Sequence, residues 1–147
     1  MLSGRVKDGF TYPVAMYDHG EGLSITGGFV YNGRIAALKG KFVFGDIARG
    51  RLFAADVAAL KAADDGIPRT VAAIEEIQLF VRDVNGNQTD VSLRQLAERL
   101  MGSLSRVDLQ LGRGSNGELY LMSRQDGMIR TLVPEGTTTA VLRGSIK

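Results

Sequence analysis

The chain has 147 residues, of which 44% are hydrophobic and 23% charged, and it contains no cysteine. This composition is that of a folding chain, and no apolar run approaches the roughly 18 residues that span a bilayer. The lack of cysteine excludes a disulfide scaffold, a cysteine-based zinc site and a thiol nucleophile. A net charge of +2 predicts no basic surface for nucleic acid. Glycine is unusually frequent, because its 19 residues make up about 13% of the chain, against about 7% in typical proteins.

The first half of the sequence contains short stretches of β-branched and aromatic residues. Turn-forming residues, such as Asn32-Gly33 and Arg49-Gly50, separate them. This pattern favours an antiparallel sheet. The four predicted strands are residues 25–31, 41–46, 51–56 and 74–83.

Two segments have helical character. Residues 54–63 are rich in alanine, and we expect a strand as far as Asp56 followed by a short helical excursion. The stronger prediction is a helix over residues 92–101, with Ser92 as its N-cap and Gly102 as its end. The apolar face predicted for this helix comprises Leu93, Leu96, Leu100 and Met101.

The last third of the chain returns to strand patterns. Hairpin turns are predicted at residues 115–117 and 125–127. They separate predicted strands at residues 106–111, 118–123 and 128–133, and residues 137–142 are interpreted as either a further strand or an irregular tail.

Four strands, a short helix and three strands together predict an all-β fold. Four-stranded antiparallel sheets repeated around an axis are the blades of a propeller, so we expect a partial β-propeller of about two blades. A plain antiparallel sandwich or meander is the alternative. The expected division is one blade at 12–84, a helical insertion at 85–105, three strands of a closing blade at 106–133 and a tail at 134–147.

The segment at residues 112–117 matches G-x-G-x-x-G. The dinucleotide fingerprint requires a helix after these glycines, so that the pyrophosphate meets a helix N-terminus. A strand pattern follows here instead. We therefore predict a glycine-rich hairpin rather than a nucleotide site.

Two loops carry the residues best suited to chemistry. The only histidine, His19, lies between Asp18 and Glu21, where a carboxylate could orient it as a base. A loop histidine bonded to backbone is the more common case for such a residue. Arg49 and Arg51 flank a glycine between two predicted strands. Their guanidinium groups match carboxylates in a bidentate manner, and solvated turn arginines are the alternative.

A resemblance rests on three motifs in order. They are P-V-x-x-Y-D-H at 13–19, S-I-T-G-G-x-V-Y at 24–31 and F-G-D at 44–46. Together with the later strands, they resemble the C-terminal part of the glucose/sorbosone dehydrogenase family, over about residues 12–133. This family consists of six-bladed propellers that oxidise sugars with pyrroloquinoline quinone (PQQ).

The resemblance implies a place for five residues at the cofactor mouth. Arg49 occupies the position of a basic residue that contacts PQQ carboxylates, and Arg51 is the neighbouring candidate. Tyr17, Asp18 and His19 fall where the family loop approaches the cofactor. The general-base histidine and the calcium-coordinating segment of the family belong to earlier blades, and His19 does not match that base.

Two blades cannot form a ring of six, so we expect the chain to be the C-terminal part of such a dehydrogenase and inactive alone. Its expected partners are a sugar substrate in the full-length context, and either missing propeller blades or further copies of itself. The resemblance suggests a periplasmic or secreted location. The superfamily also contains non-enzymatic relatives, including Hedgehog-binding proteins, so a non-catalytic binding or structural propeller is the alternative.

Overall fold

The computed structural model describes residues 11–134, which contain nine strands in three antiparallel sheets and two short α-helices. The first sheet consists of β1 (Ile25–Val30), β2 (Lys41–Asp46), β3 (Leu52–Asp56) and β4 (Glu75–Glu76). The second is the hairpin of β5 (Leu79–Arg82) and β6 (Gln88–Val91). The third consists of β7 (Leu109–Arg113), β8 (Leu119–Ser123) and β9 (Met128–Thr131). The helices are α1 (Val57–Ala63) and α2 (Leu93–Met101).

The first sheet confirms three of its four predicted strands. Phe44 pairs with Phe53 across β2 and β3, and their ring centroids lie 5.5 Å apart. Tyr17, from the segment before β1, stacks on Phe53 at 5.2 Å and so helps to cover this aromatic face. The expected change from strand to helix at Asp56 is also confirmed, because its carboxylate accepts a hydrogen bond from Ala59 N at 2.9 Å and caps α1.

The fourth predicted strand, residues 74–83, is wrong as a single element. Glu75 and Glu76 pair with β3, but the chain then leaves the first sheet and β5 pairs with β6. An apolar run cannot show where a chain changes sheets, because the backbone is extended on both sides of the change. The strand β6 escaped prediction because its first three residues are polar and exposed.

The helix α2 forms where it was predicted. The Ser92 hydroxyl accepts from Gln95 N at 3.1 Å, while the Gln95 side chain accepts from Ser92 N at 2.7 Å. This capping box fixes its start, and Gly102 follows its last residue. The predicted apolar face is wrong at its far end, because Leu100 and Met101 are 60% and 56% exposed. Only the first two turns meet the core, through Leu93 and Ala97.

The third sheet confirms the three predicted strands, although β7 begins three residues later than expected. Residues 112–117 form the end of β7 and the turn into β8, where Gly117 adopts a φ of 81°. A strand follows these glycines, as predicted for a hairpin. The second turn ends at Gly127, with a φ of 65°. Residues 137–142 lie outside the described part of the chain.

The core lies between the first and third sheets. One buried cluster contains Val43, Ala54 and Leu119, and a second contains Leu52, Val107, Leu109 and Leu121. The strands β1 and β7 lie side by side in the same direction. Ile47 joins their starts, since its N–H donates to Ser24 O at 2.8 Å and its carbonyl accepts from Leu109 N at 2.9 Å. Their ends meet where Arg113 lies over the Phe29 ring at 5.6 Å.

The two larger sheets differ in how their faces are covered. In the first sheet, both Phe53 on one face and Ala54 on the other are at most 3% exposed. The third sheet buries only the face that meets the first sheet. Its other face leaves Ile129 66% exposed and Tyr120 37% exposed. Mostly antiparallel sheets with two short helices confirm the predicted all-β class.

Candidate functional site

A buried carboxylate, Asp46, organises the start of β1. One of its oxygens accepts hydrogen bonds from Leu23 N at 2.5 Å, Ser24 N at 2.9 Å and the Tyr17 hydroxyl at 3.2 Å. The other accepts from Arg49 N at 2.5 Å. Asp46 is completely buried, and its hydrogen-bonding capacity is therefore used to fix the loop before β1 against the turn between β2 and β3.

This arrangement moves two pKa values in opposite directions. Burial alone would raise the pKa of Asp46, but the backbone donors of Arg49, Ser24 and Leu23 hold it below its ordinary value. Burial, and then the charge and hydrogen bond of Asp46, raise the pKa of Tyr17 to about 12. At neutral pH the pair therefore consists of a carboxylate and a protonated phenol.

The loop of residues 18–22 is shaped by short-range contacts. The Asp18 carboxylate accepts from Gly20 N at 2.7 Å and from Glu21 N at 3.1 Å, which closes the turn. Gly22 is required for close packing, because a Cβ there would lie 2.4 Å from Tyr17 Cε2. The loop thus turns tightly against the Tyr17–Asp46 pair while Asp18, His19 and Glu21 stay exposed.

Arg49 holds this loop by its backbone. Its Nη1 donates to Gly20 O at 2.8 Å and, at 3.4 Å, to Glu21 O, and its Nη2 lies 3.5 Å from His19 O. Three successive carbonyl oxygens therefore converge on one guanidinium group. Carbonyl oxygens are neutral acceptors, so no residue in this set cancels the charge of Arg49.

Arg51 has a different partner. Its Nε and Nη2 donate to the two carboxylate oxygens of Glu76 at 2.7 and 2.6 Å. Its Nη1 donates to Glu21 O, and its guanidinium lies 5.0 Å from the centroid of Phe53. The bidentate pair lowers the pKa of Glu76 and places a full counter-charge on Arg51.

All five residues proposed for a cofactor mouth therefore gather at one loop. Tyr17, Asp18 and His19 line a shallow cavity of about 190 Å³, together with Gly22, Leu23, Ser24 and Ile25. Arg49 and Arg51 support this loop through its carbonyl groups. Complete small-molecule sites usually measure about 300–1,000 Å³, so this cavity accommodates only part of a ligand.

Sequence reasoning missed two residues of the site. Asp46 lies in the F-G-D motif, where a carboxylate ends a buried aromatic strand, and that unusual position was the available signal. Glu76 gave no signal, because its pairing with Arg51 depends on the register of β3 and β4 across 25 residues.

A second buried carboxylate, Glu118, lies beyond the other end of β1. It accepts from the Tyr31 hydroxyl at 2.6 Å, from Arg34 N at 3.0 Å and from Arg34 Nε at 2.8 Å. Burial alone would raise its pKa, yet the hydrogen bonds from Tyr31 and Arg34 bring it below its ordinary value. Glu118 connects the end of β1 to the start of β8, and its acceptors are fully used within the fold.

The donor chemistry fits a carboxylate-bearing cofactor such as PQQ at Arg49 and not at Arg51. Arg49 binds neutral carbonyl groups, whereas Arg51 already binds a carboxylate. Among residues 11–134, no group of three or more histidine, aspartate and glutamate side chains is placed to hold a metal ion. Neither α-helix in this range has the length and apolarity to cross a membrane.

No family model matches the chain, and no solved structure matches its fold.

Proposed function

We propose that this chain is the C-terminal part of a PQQ-dependent sugar dehydrogenase of the glucose/sorbosone type, that it contributes part of the cofactor mouth and that it is inactive alone. The observation that carries the proposal is the convergence of Tyr17, Asp18, His19 and Arg49 on one loop. Tyr17, Asp18 and His19 end the P-V-x-x-Y-D-H motif, and Arg49 lies about 30 residues further along the chain. Their meeting at one edge is what the resemblance requires.

The sheet arrangement supports the propeller part of the proposal. The first and third sheets are meanders, separated in sequence by the β5–β6 hairpin and α2, and their first strands, β1 and β7, lie side by side in the same direction. Neighbouring propeller blades place their innermost strands in this way around a central channel. The open face of the third sheet is where a further blade would pack.

In such an enzyme, the bound cofactor would supply the hydride-accepting chemistry, and the protein would supply binding and orientation. This chain would contribute a positive charge and a fixed loop to the cofactor mouth. Arg49 would bind a carboxylate of the cofactor, and Asp46 would fix the loop beside it. Tyr17 would stay protonated throughout the neutral range.

Equilibrium dialysis of the full chain against PQQ tests the proposal. We expect weak, saturable binding that Arg49→Gln reduces by at least about tenfold, because a hydrogen bond to a charged group contributes about 1.5–3 kcal/mol. Arg113→Gln is the matched control, since this arginine lies at the far end of β7. The absence of saturable binding to a folded chain would contradict the proposal.

A turnover assay tests the statement that the chain is inactive alone. With PQQ, calcium, glucose and a dye acceptor, we expect no reduction of the dye. Clear turnover would show that the remaining blades are unnecessary.

The second candidate is a non-catalytic binding or structural propeller module. The neutralisation of Arg51 by Glu76 favours it, because this pair removes one of the two arginines from ligand binding. Failure to bind PQQ, in a chain whose unfolding is cooperative, would support this candidate. If three copies close a ring of six blades, light scattering would give the mass of a trimer, and a folded monomer would exclude that form.

A further inference from the structure

The two arginines of the site differ in what their guanidinium groups bind. Arg49 donates to backbone carbonyl groups of residues 19–21, which carry no net charge. Arg51 donates to both carboxylate oxygens of Glu76 and, through Nη1, to Glu21 O, the one loop carbonyl that both arginines contact. The sequence R-G-R alone does not distinguish them.

This difference decides which arginine can change partners. A carboxylate adds charge–charge attraction and a bidentate geometry to its hydrogen bonds with a guanidinium, which a neutral carbonyl acceptor does not. A carboxylate ligand therefore gains strength when it replaces the carbonyl groups on Arg49. At Arg51 it would only replace one carboxylate by another, and Glu76 would lose its partner.

The loop can yield these contacts at little cost. Residues 18–21 are exposed, so carbonyl groups released from Arg49 can bind water instead. The loop also remains tethered by Asp46, which holds Leu23 N and Ser24 N through bonds independent of Arg49. Arg51 Nη1 also keeps its hydrogen bond to Glu21 O, so release would be confined to the carbonyl groups of His19 and Gly20.

We propose that Arg49 is an exchangeable ligand contact: a carboxylate-bearing ligand takes over its guanidinium from the loop carbonyl groups and loosens the turn at His19 and Gly20. Arg51 remains a positioning residue, held by Glu76 and still bonded to Glu21 O. This inference rests on the proposed function for the identity of the ligand. It adds that binding is coupled to a change in the loop that carries Asp18 and His19.

Amide hydrogen exchange on the full chain tests the coupling, with PQQ as the probe and variants Arg49→Gln, Arg49→Lys and Arg51→Gln. Without PQQ, we expect Arg49→Gln to speed the exchange of the Glu21 and Gly22 amides by about tenfold relative to the wild type. Arg113→Gln is the control and should leave these amides unchanged. Arg49→Lys, which keeps the charge, should restore part of the protection.

With PQQ, we expect the same amides to exchange faster than in the ligand-free form of the same protein, both in the wild type and in Arg51→Gln, and to show no further response in Arg49→Gln. The ligand-free exchange of Arg51→Gln should itself lie above that of the wild type, because this variant loses the hydrogen bond to Glu21 O. Binding of PQQ without faster exchange at residues 20–22 would overturn the inference and leave the proposed function standing. Unchanged loop exchange in ligand-free Arg49→Gln would overturn it as well. A further outcome is faster loop exchange in ligand-free Arg49→Gln together with no binding of PQQ to the wild type. That result would confirm that Arg49 holds the loop through its carbonyl groups, and it would contradict both the proposed function and the exchange of partners.

Discussion

A buried carboxylate lies beside each end of β1, and the two carboxylates have different tasks. Asp46 accepts most of its hydrogen bonds from backbone N–H groups of an exposed loop and a turn. Glu118 accepts its bonds from Tyr31 and Arg34 and connects the first sheet to the third. One end of the strand thus holds a loop that faces solvent, and the other holds the sheets together.

This contrast shows that burial of a charged group does not by itself indicate a functional site. Both carboxylates have a lowered pKa and satisfied acceptors, since neighbouring donors outweigh burial in each case. What differs is the exposed neighbourhood. Beside Asp46 lie the exposed side chains of Asp18 and His19, the charge of Arg49 and a cavity. We therefore place the site at the Asp46 end.

The largest effect is expected at Glu118. Glu118→Ala leaves the buried Tyr31 hydroxyl without its acceptor, removes the acceptor of two Arg34 donors and leaves a cavity, so the free energy of unfolding should fall by about 3 kcal/mol. Urea unfolding measures it. Glu75→Ala, which removes an exposed ion pair to Lys41, is the control and should cost less than about 1 kcal/mol. Equal losses in the two variants would mean that Glu118 does not tie the sheets together.

The next effect is expected at Asp46. Asp46→Asn presents an amide nitrogen to backbone N–H donors, and we expect a loss of about 2–3 kcal/mol. The pKa of Tyr17 should fall from about 12 towards its ordinary value, because the charge of Asp46 disappears while burial remains. Ultraviolet titration of tyrosinate follows this shift, with Tyr17→Phe to assign the signal. A Tyr17 pKa that stays near 12 in the variant would assign the whole shift to burial.

A smaller effect is expected from Gly22→Ala. The new Cβ would clash with Tyr17 and lie 2.8 Å from Asp46 Oδ2, so stability should fall by about 1–2 kcal/mol and residues 20–24 should lose amide protection. Gly27→Ala is the matched control, because a Cβ there meets no atom within 4 Å. If the loop keeps its amide protection in the Gly22→Ala variant, Tyr17 does not pack here.

The pH dependence should give the smallest change. The folded pKa of Asp46 lies below its unfolded value, so its contribution is fully present above about pH 5 and is lost as the pH falls below about 4. Unfolding curves recorded between pH 6 and pH 3 should therefore show a shallower loss for Asp46→Asn than for the wild type. If the free energy of unfolding falls equally with pH in the two proteins, the acid sensitivity comes from other carboxylates, such as Glu118.

Local signals explain what the sequence predicted correctly. The turn at Arg49-Gly50 lies between strands that pair with each other, and the Ser92 cap acts on the next turn of its own helix. Both depend on residues close in sequence. The strand β6 and the division of residues 74–83 depend instead on pairing partners, which a polar or apolar pattern does not identify.

The site was predicted only in part for the same reason. Tyr17, Asp18, His19 and Arg49 stand out by residue type and motif. Asp46 accepts hydrogen bonds from Tyr17 and from Arg49 N, and its role is recognised only from these contacts in the structure. Glu76 is brought to Arg51 only by the sheet register. Which arginine is free to bind a ligand is therefore a property of the folded chain.

Backbone amide shifts recorded during a PQQ titration test most directly which end of β1 is the functional one. The proposed site predicts that shifts concentrate in residues 18–24 and 47–51, with none at Gly33, Arg34 or Glu118. Shifts that cluster around Glu118, or a spectrum that PQQ leaves unchanged, would contradict it.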